Sequence, residues 1–171
     1  MQSENSASSI ILVGMPGAGK STLGVMLAKA LTKDFVDTDL LIQLNAGQSL
    51  QSIMNEQGYL ALRDLEEQAL LRYEFFNHIV ATGGSAVYSE KGMQHLKTFG
   101  QVIYLNVSLN ELRKRIQNYE QRGIAKRPEQ SFADLFKERQ SLYQQYADIE
   151  IICDGLTDTE CLEKLIKALS Q

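Results

Sequence analysis

Short apolar runs punctuate the chain at 9–14 (SIILVG), 35–39 (FVDTD), 78–84 (HIVATGG), 101–107 (QVIYLNV) and 149–153 (IEIIC). Each reads as a short, buried strand. The longer segments between them carry apolar residues at helical spacing, as at Leu23, Leu27, Ala30 and Leu31, or Leu162, Leu165, Ile166 and Leu169. Strands alternating with helices predict an α/β fold of three layers: a five-stranded parallel sheet with helices on both faces, because parallel neighbours need crossover connections. Ligands of such sheets sit at the carboxyl ends of the strands. GMPGAGKS, DTD and TGG all fall where the first three strands finish.

Composition narrows this picture. At 171 residues, with no repeat and no linker-like break, the chain reads as one domain over 1–171, preceded by a polar, disordered tail at 1–8. A formal charge of −4 and a pI near 5.2 give no global attraction to nucleic acid or to an acidic membrane. The expected partners are small molecules, and a monomer is expected. MQSENSASS lacks a basic end and an apolar stretch, and no apolar run reaches the ~20 residues that span a bilayer, so a cytoplasmic protein is expected. Cys153 and Cys161 form no CxxC pair and read as buried or idle thiols in a reducing cytosol. The segment 118–131, NYEQRGIAKRPEQS, is basic in its middle and holds Gly123 and Pro128. An irregular stretch of that length is usually functional or mobile, and it reads as a lid.

GMPGAGKS fits G-x-x-x-x-G-K-[ST] with Gly14, Gly19, Lys20 and Ser21. Glycines let consecutive N–H groups point inward, the following helix adds its positive dipole end, and the lysine reaches the β and γ phosphates. The predicted nucleotide site spans Gly14, Gly17, Ala18, Gly19, Lys20, Ser21 and Thr22, with Ser21 as a Mg²⁺ ligand. Lys20 is expected to be exposed, serving the site and not the core. A P-loop alone does not separate switch, motor and kinase. The fourth strand ends without an acid, so the candidate carboxylates are Asp37 and Asp39. Two apart, they point the same way if the strand persists. One would position Mg²⁺ and the other would orient or deprotonate an acceptor hydroxyl. The competing assignment makes one of them a helix N-cap and leaves the other solvated. Paired glycines in TGGSAV let backbone amides approach a ligand.

Taken together, GMPGAGKST, FVDTD, GYLALRDLEEQAL, VATGGSAV, an Arg-Pro segment and ERQSLYQQYAD occur in the order and approximate spacing of shikimate kinases, from Ile10 to Ile152. The chain resembles that family. The resemblance implies a P-loop kinase that moves the γ-phosphate of ATP to a hydroxyl of a carboxylated polyol. Shikimate, converted to shikimate 3-phosphate in aromatic amino-acid biosynthesis, is the first candidate, with Mg²⁺ as cofactor. It further implies Asp37 as the Mg²⁺-associated aspartate and Asp39 as the residue that holds the substrate hydroxyls and acts as base. Lys20 joins the catalytic set. Arg63 and Arg139 become partners of the substrate carboxylate, Gly83 and Gly84 backbone donors, and Arg127 the lid arginine over the transferring phosphate. Three departures stand beside these matches. Ser85 replaces a third glycine, Tyr59 and Leu62 replace Glu and Phe ahead of the substrate arginine, and the lid reads RPEQ after a lengthened approach from Arg115. The nucleotide half is intact, while the acceptor stays open between shikimate and another sugar acid. A regulatory module that only binds nucleotide is the third alternative, against which Asp37, Asp39, Arg63 and Arg139 argue.

Overall fold

Five parallel strands, β1 (Ser9–Val13), β2 (Asp34–Asp37), β3 (His78–Ala81), β4 (Gly100–Asn106) and β5 (Ile149–Ile152), form one sheet in the order β2-β3-β1-β4-β5. The structure is a computed structural model and describes residues 8–116 and 122–171. Apart from Ser8, the expected tail lies outside the described residues, as do 118–121 of the expected lid. β1 occupies the centre and all of its residues are buried. Its Leu12 is level with Ala81 of β3, and Ala81 is level with Asp37 of β2. This register ends three strands at one height, so the P-loop, the Asp37 turn and the Thr82 turn emerge side by side.

The helices α1 (Lys20–Leu31), α2 (Thr38–Ala46), α3 (Leu50–Arg72), α4 (Glu90–Lys97), α5 (Leu109–Arg115), α6 (Phe132–Tyr146) and α7 (Asp158–Leu169) supply the crossovers. A 3₁₀ turn, Ala86–Tyr88, follows β3. The stripe expected on α1 holds at Leu23, Leu27 and the half-buried Leu31 and misses at Ala30. Leu23, Gly24, Leu27 and Ala28 are buried whereas Ala30 is exposed, because the helix packs through Gly24 close to the Phe35 ring. α3 is interrupted at Gly58, whose φ of 83° is left-handed backbone. Among the described residues, no helix is long and apolar enough to cross a membrane.

Most apolar side chains join a core around the sheet. A second, smaller core of Ile42, Ile53, Leu62, Ala69 and Ala125 ties α2 and α3 to the segment that precedes α6. Each fully buried aliphatic side chain there contributes about 1.5–3 kcal/mol, so this satellite is a stable but minor support. The cysteines depart from expectation. Both are buried, but Cys153 and Cys161 are joined as a disulfide with their Cα atoms 5.9 Å apart. The turn through Gly155 (φ 69°) folds α7 back beside the end of β5, which spacing alone did not reveal.

Candidate active site

Leu105 of β4 presses its carbonyl against the first glycine of the P-loop: a Cβ on Gly14 would stand 2.8 Å from that oxygen, and φ there is 152°. Only glycine fits. Gly19, also left-handed, precedes α1 and offers no capping side chain, so the first amides of the helix face outward as an anion site. Gly17, Gly19, Lys20, Ser21 and Thr22 line a cavity of about 550 Å³. Gly14 and Ala18 shape the loop from beneath it, Ala18 being buried. Lys20 is not the exposed residue that was expected. Its exposure is 8%, and its Nζ donates to the carbonyls of Gly14 at 2.7 Å and Met15 at 2.9 Å. Burial lowers its pKa to about 8, opposed by the nearby charge of Asp39.

The strand does not persist through Asp39. It ends at Asp37, which caps α2 by accepting from the Asp39 amide at 2.9 Å, so the same-face argument for the two carboxylates fails. Capping satisfies an orphan helix amide that a continued strand would leave to water. The other Asp37 oxygen accepts from Ser21 Oγ at 2.5 Å, so the cap is also the P-loop's neighbour. Two adjacent oxygen donors beside a phosphate loop suit Mg²⁺, which takes its remaining ligands from phosphates and water. Asp39, two residues on in the first turn of α2, lines the cavity. Burial first, and the charge of Asp37 second, raise its pKa to about 6.

The acceptor side is built from side chains. Arg139 of α6 is 1% exposed and donates through Nη2 to the carbonyl of Ala125 at 2.7 Å. Its buried Nε has no partner. Gly84 lies against the same guanidinium, since a Cβ there would be 2.7 Å from Nη1. Gly83 is otherwise engaged: its amide donates to Thr38 Oγ1 at 3.0 Å and is not free as the expected ligand donor. A Cβ on Gly83 would collide with the carboxylates of both Asp39 and Glu66.

Glu66 was not foreseen. It is 2% exposed, accepts from Ser85 Oγ with one oxygen and leaves Oε1 without a partner. Burial, with Asp39 adding to it, raises its pKa to about 7. Its signal was available, because Glu66 falls three and four residues after Arg63 and Leu62, on the same face of a helix.

Arg63 and Arg127 do not line the cavity. The Arg63 guanidinium lies over the Tyr88 ring at 3.5 Å and near Tyr59 at 5.1 Å. Arg127 is paired with Glu138 at 3.2 Å. Arg115 and Arg122, which the motif reading did not select, supply cations to the cavity wall. Gly123 of the expected lid packs against the start of α3, and its amide donates to Gln51 Oε1 at 2.7 Å.

An anion cradle and a carboxyl-lined pocket with a buried guanidinium that has no ion-pair partner among the described residues thus share one cavity, an arrangement suited to phosphoryl transfer onto an anionic alcohol. Known proteins give the same answer. The family described as shikimate kinase matches residues 16–170. The shikimate kinase of Sulfurihydrogenibium sp. (strain YO3AOP1) is 34% identical over 95% of this chain and 98% of its own length. That of Rhodococcus jostii (strain RHA1) is 36% identical over 94% and 97%. The solved structure of shikimate kinase from Acinetobacter baumannii in complex with shikimate superposes with a TM-score of 0.85 at 29% identity, covering 95% of this chain and 93% of that one. By sequence and by fold, this chain belongs to the shikimate kinase family.

Proposed function

We propose that the protein transfers the γ-phosphate of ATP to a hydroxyl of shikimate, giving shikimate 3-phosphate and ADP for aromatic amino-acid biosynthesis. The observation that carries this reading is Arg139. Among the described residues no ion pair involves it, and its Nε is buried without a partner. Leaving a cation so placed costs several kcal/mol unless an anion joins it. The carboxylate of the acceptor supplies that anion, in the fork geometry a guanidinium prefers.

The remaining roles follow from position. The P-loop amides and Lys20 hold the β and γ phosphates. Asp39, ionised above its pKa of about 6, accepts the proton of the acceptor hydroxyl as the new O–P bond forms and the bond to ADP breaks. Ser21 and Asp37 would hold Mg²⁺, which when bound neutralises phosphate charge. Arg115 and Arg122 on the cavity wall, and Arg127 once it leaves Glu138, are cations available to the transferring phosphate. Arg63 stands outside the cavity lining but shares the Tyr88 ring with Arg139, which supports it as the second partner of the acceptor carboxylate.

A kinase assay with ATP and Mg²⁺ across shikimate, quinate and gluconate, with products identified by mass spectrometry, tests this reading. Shikimate is expected to exceed the others in kcat/KM by at least about 100-fold, the discrimination that unpaired buried polar groups can impose. Preference for another acid would replace the substrate. Nucleotide binding with no acceptor phosphorylated would leave only a binding module.

A further inference from the structure

Among the described residues, no hydrogen bond or ion pair fixes the Arg63 guanidinium, and its buried Nε is unpartnered. What holds it is the face of Tyr88 at 3.5 Å, with Tyr59 behind at 5.1 Å. The same Tyr88 ring lies 5.5 Å from the guanidinium of Arg139. Tyr88 closes the 3₁₀ turn directly after Gly83, Gly84 and Ser85, with its amide on the Ser85 carbonyl at 3.1 Å. Its hydroxyl donates to Glu138 Oε1, while Glu138 Oε2 accepts from Arg127 at 3.2 Å and Gln130 at 3.0 Å. The ring is therefore anchored at both ends, by the glycine turn and by α6.

We propose that Tyr88 is the positioning residue that presents Arg63 to the carboxylate of the acceptor. The inference rests on the reading of Arg63 as a partner of that carboxylate. Its physics is the difference between gripping a guanidinium by its edge and by its face. An acidic partner would occupy the edge N–H donors that a ligand carboxylate needs, whereas stacking on a ring restrains the plane and leaves all of them open. The Glu138 anchor fixes the ring's tilt and, through Arg127, ties it to the segment ahead of α6.

Titration calorimetry and steady-state kinetics on Tyr88→Leu, Tyr88→Phe and Arg63→Lys test it, with shikimate and ATP as the probes. Tyr88→Leu should raise the Kd and KM for shikimate about tenfold, the scale of a partly buried cation–π contact. The Kd for ATP should stay unchanged. Tyr88→Phe, which keeps the ring, should restore most of the shikimate affinity. Tyr88→Met, of similar volume but without a π face, replaces Tyr88→Leu should the latter not fold. The inference is overturned if Tyr88→Phe is as impaired as Tyr88→Leu, or if shikimate and ATP affinities fall together. If Arg63→Lys weakens shikimate but Tyr88→Leu does not, the role of Tyr88 alone fails. If Arg63→Lys has no effect, the reading of Arg63 fails and takes this inference with it.

Discussion

The two halves of the cavity are made of different materials. The nucleotide half is backbone: a glycine loop, the open amides of α1, and one lysine held by carbonyls of that loop. The acceptor half is side chain. Asp39 from α2, Glu66 from α3, Ser85 after β3 and Arg139 from α6 meet over a small satellite core. A backbone cradle needs only local sequence to form and suits a ligand shared by many enzymes. A side-chain cradle can be changed one residue at a time, and in this chain the departures from the family pattern lie there. The acceptor half also concentrates buried charge, with pKa values of about 6 for Asp39 and about 7 for Glu66. Groups perturbed in this way are what a binding or catalytic site retains at a cost to stability.

The largest effect should come from the nucleotide half. Lys20→Ala is expected to lower kcat by about 1,000-fold or more, since this cation meets charge that develops on the phosphates. A turnover assay with circular dichroism as the fold control checks it. Next, Asp39→Asn should lower kcat by about 100- to 1,000-fold while the nucleotide Kd, by calorimetry, stays within about twofold. In the parent protein kcat should rise with pH through about 6 as Asp39 loses its proton, and the variant should lack that limb. A variant that kept the limb would move the base elsewhere.

Glu66 separates function from stability. Its pKa is raised from an ordinary 4.5 to about 7, so between those values the folded protein keeps a proton that the unfolded chain has released. Stability therefore falls as pH rises across that window and is lowest above it. Glu66→Gln should stabilise the fold by about 1–3 kcal/mol at pH 8, or roughly 3–10 °C in Tm, with the gain fading as pH falls from about 7 to 4.5 and absent below that. A gain independent of pH would contradict the assignment. The smallest effect on activity should follow loss of the Cys153–Cys161 bridge, which does not line the cavity. Replacing both cysteines by Ser should cost about 2–3 kcal/mol by loop entropy and leave kcat unchanged, as thermal melts and turnover assays will report.

This contrast explains what the sequence disclosed. The strands, their alternation with helices and the P-loop are contiguous in the chain and were legible, although β3 stops at Ala81, three residues before its apolar run ends, and the edge strands β2 and β5 are largely not buried as expected. Asp37 and Asp39 were found, but their geometry was not, because a cap and a continued strand look alike until the helix begins. Arg63 and Arg127 were found by motif, whereas their partners Tyr88 and Glu138 are distant in sequence and have no fixed spacing to them. Glu66 escaped because charged residues on helices are usually solvated and only packing shows that this one is buried, whereas Arg115 and the exposed Arg122 escaped because only the fold brings them to the cavity wall. The Gly83 amide, expected as a ligand donor, is taken by Thr38, a contact that only the α2 cap creates.

The buried Arg139 guanidinium, with no ion-pair partner among the described residues, awaits an acceptor carboxylate. The direct test is calorimetric binding of shikimate beside its neutral carboxamide, to the parent protein and to Arg139→Gln. The parent should bind the carboxamide at least about 100-fold more weakly than the acid, the cost of leaving a buried charge unpaired. Arg139→Gln, which removes the charge, should erase most of that difference while leaving ATP affinity unchanged. Equal affinity of the parent protein for acid and carboxamide would contradict the account.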